Sequence, residues 1–315
     1  EELVAALENG HGALACSSGM MALQHALWCA LAERPKRILC ARDIYGATLK
    51  LLYDVMGPFG FQTELVDAND VAATEAALDR FQPGALLVET ISNPLLRVAD
   101  IEALGRMCRA RNVALIVDNT FATPLLVRPL ELGAHLVVHS STKYLGGHGD
   151  TLGGLIVSDE AHYETMRRFS RVNGPVMGPM EAYLTMRGIK TFPLRMERQC
   201  QNAAALAEWL RQHPRVERVF YPDDPGHPDA AIIGRLIPDG LRGGMVSFEI
   251  RGARREGKAF LHLGLGVNGG IAFFKRKWGA AAFLPCIETS WAPGRPQAGR
   301  RGGILTRLRR RLWDG

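Results

Sequence analysis

The chain has 315 residues, of which 47% are hydrophobic, so it can form one large or two ordinary domains and is too apolar for a disordered or fibrous protein. Its longest purely apolar stretches are strand-sized, well short of the ~18 consecutive residues of a membrane span. The formal net charge is +6, but residues 275–315 hold ten Lys and Arg against two acids, so the remainder carries −2 and nucleic-acid binding is not expected.

The chain begins with Glu1 rather than Met, and its first ten residues have neither the basic nor the apolar region of a signal peptide. We therefore expect the sequence to start within a longer protein. The cysteines form no CxxC pair, a pattern typical of reduced thiols rather than of a disulfide framework or a zinc site. A cytoplasmic protein without a metal centre is predicted. The cysteines are Cys16, Cys29, Cys40, Cys108, Cys200 and Cys286.

Apolar runs of strand length alternate with segments of helical period, which predicts an α/β fold with a doubly wound, mostly parallel sheet. After about Lys190 the pattern changes to one long amphipathic helix over 192–213 and further strand-like runs. We therefore predict a large domain of residues 1–190 and a smaller C-terminal α/β domain of residues 191–315. The predicted strands of the large domain are 37–43, 85–91, 113–119, 135–140 and 152–158, and the predicted helices are 47–60, 70–82 and 100–112.

Residues 15–27, ACSSGMMALQHAL, place two serines and a glycine directly before a helical segment. Free N–H groups and the positive end of the helix dipole make such a helix start an anion site, and glycine lets a phosphate approach closely. Ser17, Ser18, Gly19 and Met20 are the candidate phosphate contacts. The alternative is an ordinary helix cap, in which a serine hydroxyl accepts from the first N–H groups.

Asp118 lies at the end of the predicted strand 113–119. An isolated buried carboxylate is costly, so the side chain must be paired or hydrogen-bonded. We expect a cationic partner. The alternative is a loop acid that caps the following turn.

Another strand end, in HLVVHSSTKYLGGHGD, carries Ser140, Thr142 and Lys143 before a glycine-rich turn. A partly buried lysine there has a lowered pKa, which makes its amine nucleophilic enough to form a Schiff base. The alternative is an ordinary surface lysine. His139 and His148 belong to the same segment, but no acidic or cysteine ligand accompanies them, so no metal site is predicted.

The sequence thus has a phosphate cradle, a buried acid and a lysine at successive strand ends. Together these three groups indicate a site that none of them indicates alone. In a parallel sheet such ends share one edge, and ligands bind there. Pyridoxal 5'-phosphate needs these groups: an anchor for its phosphate, a partner for its pyridinium nitrogen and an amine for its aldehyde. The sequence therefore predicts this cofactor.

Six segments in this order resemble the pyridoxal-phosphate enzymes of cysteine and methionine metabolism, a family that includes cystathionine gamma-synthase, cystathionine gamma-lyase and methionine gamma-lyase. The resemblance runs from Glu1 to about Glu249 and implies the fold type I architecture of aspartate aminotransferase. The segments are ALACSSGMMA, DIYGAT, VETISNPLLRVADI, VDNTFATPLL, HLVVHSSTKYLGGHGD and RGIKTFPLRMERQCQNA.

By motif position, the resemblance makes Lys143 the Schiff-base lysine and Asp118 the acid opposite the ring nitrogen. Tyr45 would stack on the cofactor ring and assist proton transfer, and Thr120 would lie against the other face. Asn93 would lie near the cofactor oxygen and the substrate carboxylate. The implied phosphate-binding set is Ser18, Gly19, Met20, Ser140 and Thr142.

Three further motif positions have smaller expected roles. Glu89 would position the loop that follows it. Ala47 stands where methionine gamma-lyases tend to have a cysteine, which makes that activity less expected. His135 stands where the lysine motif usually has an acid, and we expect little consequence.

The resemblance implies gamma-replacement or gamma-elimination on a homoserine-derived or sulfur amino acid, of the cystathionine gamma-synthase or gamma-lyase type. Lys143 would shuttle protons, and Asp118 would keep the ring nitrogen protonated. Methionine gamma-lyase or beta-lyase activity, and a non-catalytic homologue or fragment, are the alternatives. The family also implies a homotetramer built from two dimers with shared active sites, without a nucleic-acid or membrane partner.

The sequence departs from the family at both ends. Members carry a further N-terminal segment before the position of Glu1, including residues that reach the phosphate of a neighbouring subunit. Beyond about Leu265 the match ends, and Arg307 is the candidate for the arginine that clamps the substrate carboxylate. We interpret the basic tail from about residue 275 as a local reading-frame error or a damaged gene, and an intact open frame at the locus would refute this.

Overall fold

The computed structural model describes residues 1–250 and the backbone of residues 261–264. All of these residues belong to one compact unit. Within them, none of the helices is long and apolar enough to cross a membrane. The basic tail and Arg307 lie outside the described residues, so their interpretation stays a prediction.

The main sheet has seven strands: β1 (Gly12–Cys16), β2 (Arg37–Ala41), β3 (Gln62–Val66), β4 (Ala85–Glu89), β5 (Ala114–Asp118), β6 (Leu136–Ser140) and β7 (Gly154–Ser158). Their order across the sheet is β1-β7-β6-β5-β4-β2-β3. β7 runs antiparallel to both of its neighbours, whereas the strands from β6 to β3 are parallel to one another. The predicted mostly parallel sheet is confirmed.

The helices within the described residues are α1 (Glu2–Glu8), α2 (Gly19–Ala30), α3 (Gly46–Lys50), α4 (Val71–Phe81), α5 (Ile101–Ala110), α6 (Thr123–Leu126), α7 (Glu160–Asn173), α8 (Pro179–Ile189), α9 (Phe192–Arg211) and α10 (Ala230–Leu236). Four of them begin after a short polar residue whose side-chain oxygen accepts from a backbone N–H of the first turn. These caps are Ser18, Asp70, Asp100 and Asp159.

Alternate residues of the central strands face different helical layers. Ile38 and Cys40 of β2 pack in the same core cluster as residues of α2, whereas Leu39 packs with residues of α4 and α5. All three side chains are fully buried. Because helices cover both faces of the sheet, its strands read as continuous apolar runs rather than as alternating ones, and the doubly wound arrangement is confirmed.

Several elements differ from the prediction. The predicted helix over 47–60 is only partly right: α3 ends at Lys50, and a π-helical segment (Leu51–Met56) and a 3₁₀ turn (Gly57–Phe59) follow it. Pro58 has no N–H to continue an α-helix. The elements that were not predicted include β1, β3, α1, α6, α7, α8 and α10. β3, QTELV, is half polar because it lies at an edge of the sheet and is only partly buried.

A second sheet follows in the chain. Its strands β8 (Val216–Phe220), β9 (Met245–Ile250) and β10 (Leu261–Gly264) are antiparallel, in the order β10-β9-β8. The long helix predicted over 192–213 is α9, and its Ala203, Ala207 and Leu210 pack with Val219 and Phe248 of this sheet. The domain division near residue 190 stays a prediction.

Candidate active site

The strand registers bring the predicted site residues to one edge of the main sheet. Glu89 pairs with Asp118 across β4 and β5, and Ser140 pairs with Gly154 across β6 and β7. Cys16, the last residue of β1, pairs with the same Gly154. The ends of β4, β5, β6 and β1 therefore form a row at the carboxyl edge, where ligands bind in sheets of this kind.

The start of α2 forms the candidate anion cradle. Ser18 Oγ accepts from the N–H of Met21 at 3.1 Å, which leaves the N–H groups of Gly19 and Met20 without an acceptor inside the helix. A Cβ on Gly19 would lie 2.8 Å from the Cβ of Ser140, so glycine is what lets the helix start touch the end of β6. The serine cap and the anion site are thus compatible rather than alternatives.

Two consecutive glycines at the start of β7 support this cradle. A side chain on Gly154 would collide with the backbone carbonyl of Ser18. Gly153 bonds to Thr142 in both directions: its N–H donates to Thr142 Oγ1 at 3.1 Å, and its carbonyl accepts from that hydroxyl at 3.4 Å. The glycines therefore let β7 lie directly beneath the cradle and fix Thr142 beside it.

Asp118 is half-buried at the end of β5. Its Oδ1 accepts from the N–H of Thr120 at 3.0 Å, and Thr120 Oγ1 accepts from the N–H of Ser140 at 2.9 Å. Burial raises the pKa of the Asp118 carboxyl, while hydrogen bonds from Thr120 and the nearby His139 oppose the rise. Within the described residues no lysine or arginine forms an ion pair with Asp118, so that part of the chain does not supply the expected cation.

Lys143 lies in the turn that follows β6. Its N–H donates to the carbonyl of Ser140 at 3.1 Å, and its side chain is half-buried. Burial lowers the pKa of the Lys143 amine. Among residues 1–250, Nζ has neither a hydrogen-bond nor an ion-pair partner. The amine is therefore available to a ligand and becomes neutral, and hence nucleophilic, at a lower pH than a surface lysine.

Glu89 joins two loops at this edge. Its Oε1 accepts from the N–H of Tyr45 at 2.8 Å, and its Oε2 accepts from the N–H of Asn93 at 3.1 Å. Burial and repulsion from Asp118 raise the pKa of Glu89 well above its usual range. The Tyr45 side chain remains 40% exposed, and Asn93 Oδ1 is buried without a partner in the described part of the chain. Both side chains are therefore available to contact a ligand.

A buried polar network behind this edge was missed from the sequence. Oε1 of the fully buried Glu8 lies 2.6 Å from His139 Nε2 and 2.8 Å from Asn119 Nδ2. Asn119 Oδ1 in turn accepts from the hydroxyl of Thr90 at 2.7 Å. The network thereby fixes the ends of β4, β5 and β6. A signal was present: Glu8 follows the buried Val4 by four residues, so it lies on the core-facing side of α1.

Arg195 of α9 is a second residue that was missed. Its guanidinium donates to the carbonyl of Tyr144 at 2.9 Å and to that of Gly188, in the last turn of α8, at 2.8 Å. Burial lowers the pKa of Arg195. Because it binds backbone carbonyls, it fixes the turn that carries Lys143. No local pattern indicates the contact with Tyr144, since the two residues lie 51 positions apart in the sequence.

The remaining candidates lie outside this row. Ser17 and His148 are exposed, and His148 Nδ1 lies 2.8 Å from the carbonyl of Gly146. Among the residues that the structure describes, no three His, Cys, Asp or Glu side chains are grouped as metal ligands.

The residues of the row fit pyridoxal 5'-phosphate in three respects. Two N–H groups at the start of α2 suit its phosphate. The half-buried Asp118 has no cationic side chain paired to it in the described residues, and the Lys143 amine has no partner there. Together they can hold an anion, stabilise a protonated ring nitrogen and attack an aldehyde.

The chain is similar to known proteins of one family. The family model described as Cys/Met metabolism PLP-dependent enzyme matches residues 1–265. An L-methionine gamma-lyase from Fusobacterium nucleatum subsp. polymorphum is 39% identical over 265 residues, which cover 83% of this chain and 66% of that relative. A cystathionine gamma-synthase from Mycobacterium bovis is 44% identical over 257 residues, which cover 81% of this chain and 65% of that relative.

A solved structure is also similar. The crystal structure of cystathionine gamma-lyase from Lactobacillus plantarum complexed with L-serine matches with a TM-score of 0.75 and 38% identity, over 79% of this chain and 64% of that one. The chain therefore spans just under two thirds of the length of these relatives.

Proposed function

The chain belongs to the Cys/Met metabolism family of pyridoxal-phosphate-dependent enzymes, and on that basis we propose that it catalyses gamma-replacement or gamma-elimination on homoserine-derived or sulfur amino acids, as cystathionine gamma-synthases and gamma-lyases do. The observation that carries the proposal is the amine of Lys143. It is half-buried, has a lowered pKa and lies on the same sheet edge as Asp118 and the start of α2.

The proposed cofactor is pyridoxal 5'-phosphate. Asp118 would pair with its ring nitrogen, Tyr45 and Thr120 would contact the two faces of its ring, Asn93 would lie near its ring oxygen, and Lys143 would bind its aldehyde. The residues proposed to hold its phosphate are Ser18, Gly19, Met20, Ser140 and Thr142. Support comes from the contact of Gly19 with Ser140 and from the unpartnered Oδ1 of Asn93.

The bound cofactor supplies an electron sink for a carbanion at the substrate. Ionised Asp118 would stabilise a proton on the ring nitrogen, because opposite charges in a half-buried site stabilise each other. The Lys143 amine would act as a base at the α-carbon of the substrate and would carry protons to and from neighbouring atoms. Its lowered pKa increases the fraction of neutral amine, the form that accepts a proton.

Methionine gamma-lyase activity is the second candidate. It is supported by the 39% identity to L-methionine gamma-lyase. Against it stands Ala47, at the position next to Tyr45 and Gly46. The two candidates differ in the leaving group at the γ-carbon and therefore in which substrate is consumed.

A substrate comparison tests the proposal. We expect the purified chain, saturated with pyridoxal 5'-phosphate, to form cystathionine from an O-acyl homoserine and cysteine, or 2-oxobutanoate from cystathionine. Faster release of 2-oxobutanoate from methionine than turnover of either of these would favour the second candidate, and pyruvate from cystathionine would indicate a beta-lyase. A chain that retains the cofactor but turns over none of these substrates would be a non-catalytic homologue, and the proposal would be wrong.

We further propose a homotetramer made of two dimers. The support on this chain is an apolar face of α8, where Met180, Tyr183 and Met186 are at least half exposed at spacings that place them on one side of the helix. Tyr183→Glu is expected to lower the assembly state measured by sedimentation, because a charge at a buried contact is costly. Val71→Glu, at an exposed apolar residue of α4, is the control. A wild-type monomer would contradict the proposal.

A cytoplasmic location is proposed from the cysteines. Within the described residues Cys16, Cys29, Cys40, Cys108 and Cys200 are all free and buried, as expected in a reducing compartment. Cell fractionation tests this location. We propose no metal, nucleic-acid or membrane partner.

A further inference from the structure

Residues 227–229 contact the loop that carries Asn93, although they lie far from it in the sequence. We call these contacts the grip. Residues 227–229, just before α10, lie against residues 96–98, which follow β4. Asp229 is 4% exposed. Its Oδ1 and Oδ2 accept from Nη2 and Nε of Arg97 at 2.8 and 2.7 Å, and Oδ2 also accepts from the N–H of Val98 at 2.9 Å. This is a two-point carboxylate–guanidinium contact with an added backbone bond, the strongest class of such pairs.

His227 makes a second contact with the same loop. Its Nε2 lies 3.1 Å from the carbonyl of Leu96, and its Nδ1 accepts from the N–H of Asp229 at 3.1 Å. Because Nδ1 accepts a hydrogen bond, Nε2 carries the ring proton and donates to Leu96, so the ring is neutral in this arrangement. The imidazole is 8% exposed. His227 therefore contacts Asp229 and Leu96 at the same time and helps to fix the positions of both.

The loop between the end of β4 and residues 96–98 is closed by hydrogen bonds between its own residues. The N–H of Ser92 donates to the carbonyl of Arg97, and the N–H of Arg97 donates to Ser92 Oγ, at 2.9 and 3.1 Å. At the other end Glu89 accepts from the N–H of Asn93. Asn93 therefore lies between two anchors, Glu89 on the main sheet and Asp229 beyond α9. Displacing either anchor displaces Asn93.

We propose that Asp229 and His227 are positioning residues that set the location of Asn93 for the carboxylate group of an α-amino acid substrate. This inference rests on the proposed function, since it assigns the substrate end of the same site. Neither residue is proposed to touch the substrate. They act through Arg97 and Leu96. The atom whose position they set is Oδ1 of Asn93, which is buried and has no partner in the described residues.

Two variants weaken the grip in different ways. In Asp229→Asn, one acceptor oxygen becomes an NH₂ group, so the bonds from Nε and Nη2 of Arg97, which go to different oxygens, cannot both be made. In Arg97→Lys, the charge stays but the two-point contact is lost. The matched control is Arg235→Lys, which weakens an ion pair between α10 and Asp100, 2.6 Å in length, without touching residues 92–98.

The first readout needs no cofactor. In the apoprotein of both variants, the N–H of Asn93 is expected to exchange with solvent about tenfold faster than in the wild type, measured by hydrogen exchange on peptides covering residues 92–96. In the holoenzyme, KM for the amino acid substrate is expected to rise about tenfold, with cofactor retention unchanged. Arg235→Lys should alter neither quantity.

The outcomes separate this inference from the proposed function. Unchanged exchange at Asn93, or an unchanged KM in an active holoenzyme, in both variants would overturn the positioning role and leave the proposed function intact. If the wild type turns over no substrate, the proposed function fails, and with it the substrate assignment, whereas faster exchange would still establish the grip on Asn93. The same effect in Arg235→Lys would indicate general destabilisation of α10 and would also overturn the inference.

Discussion

Replacing Lys143 with Ala is expected to abolish the visible absorption that the protein acquires with pyridoxal 5'-phosphate and to lower turnover at least ~10³-fold. The absorption depends on a covalent bond between a lysine amine and the aldehyde of the cofactor. Since Nζ of Lys143 has no partner in the described residues, the variant loses no hydrogen bond or ion pair of that side chain there. The thermal midpoint of the apoprotein is therefore expected to stay within a few degrees of that of the wild type.

Lys190→Ala is the matched control for this prediction. Lys190 is exposed at the end of α8, and its removal is expected to leave both absorption and turnover unchanged. Absorbance spectra after desalting and a steady-state assay check both variants. If Lys143→Ala kept the band or the rate, another lysine would be the attachment site, and the assignment of the sheet edge as the cofactor site would be wrong.

The second large effect is expected at Asp118. In Asp118→Asn the carbonyl oxygen of the amide can still accept from Thr120, so the local structure is preserved, but the negative charge opposite the ring nitrogen is lost. Turnover is expected to fall about 10²–10³-fold, and cofactor affinity to fall about tenfold. Steady-state kinetics and a cofactor titration measure the two effects.

The control is Asp70→Asn, which also neutralises one acid. Asp70 caps α4 through a bond to the N–H of Ala73, and asparagine caps a helix as well as aspartate does. Neither turnover nor affinity should change in it. An Asp118→Asn enzyme as active as the wild type would mean that this carboxylate is not the partner of the ring nitrogen.

The raised pKa of Asp118 predicts the direction in which the affinity for the cofactor changes with pH. The carboxyl carries its charge above its pKa and loses it below, so the affinity of the apoprotein for the cofactor is expected to fall as the pH decreases through that raised pKa. Asp118→Asn has no such group and should have a flatter profile. Titrations of both proteins across the acidic range measure this, and identical profiles would contradict it.

The composition of the candidate site was predictable because its parts are local in sequence. Ser18, Asp118 and Lys143 each lie at or within a few residues of the end of an apolar run, and parallel strands bring such ends to one edge. The pairing of the strands was not predictable in the same way. Nothing within GALAC indicates that β1 lies beside β7, because pairing depends on residues far along the chain.

Long-range polar contacts were likewise not predictable from the sequence. Glu8 lies on the core-facing side of α1, but the residues around it in the sequence do not indicate that its buried partner is His139. Asp229 and Arg97 form their contact across the fold. Such pairs depend on how elements pack, whereas periodicity reports only which face of an element is apolar. The sequence therefore indicated Glu89 and the residues proposed to perform the chemistry, whereas the long-range contacts of Glu8, Arg195 and Asp229 were not predicted.

The antiparallel strand β7 has a consequence for the order of folding. Among the strands that the structure describes, β1, which leads into the start of α2, pairs with β7 alone, and β7 comes much later in the chain. Contacts between such distant segments form slowly, because a long loop must close first. During synthesis the anion cradle is expected to stay incomplete until Ser158 has left the ribosome, even though its own residues precede Ser158 in the chain.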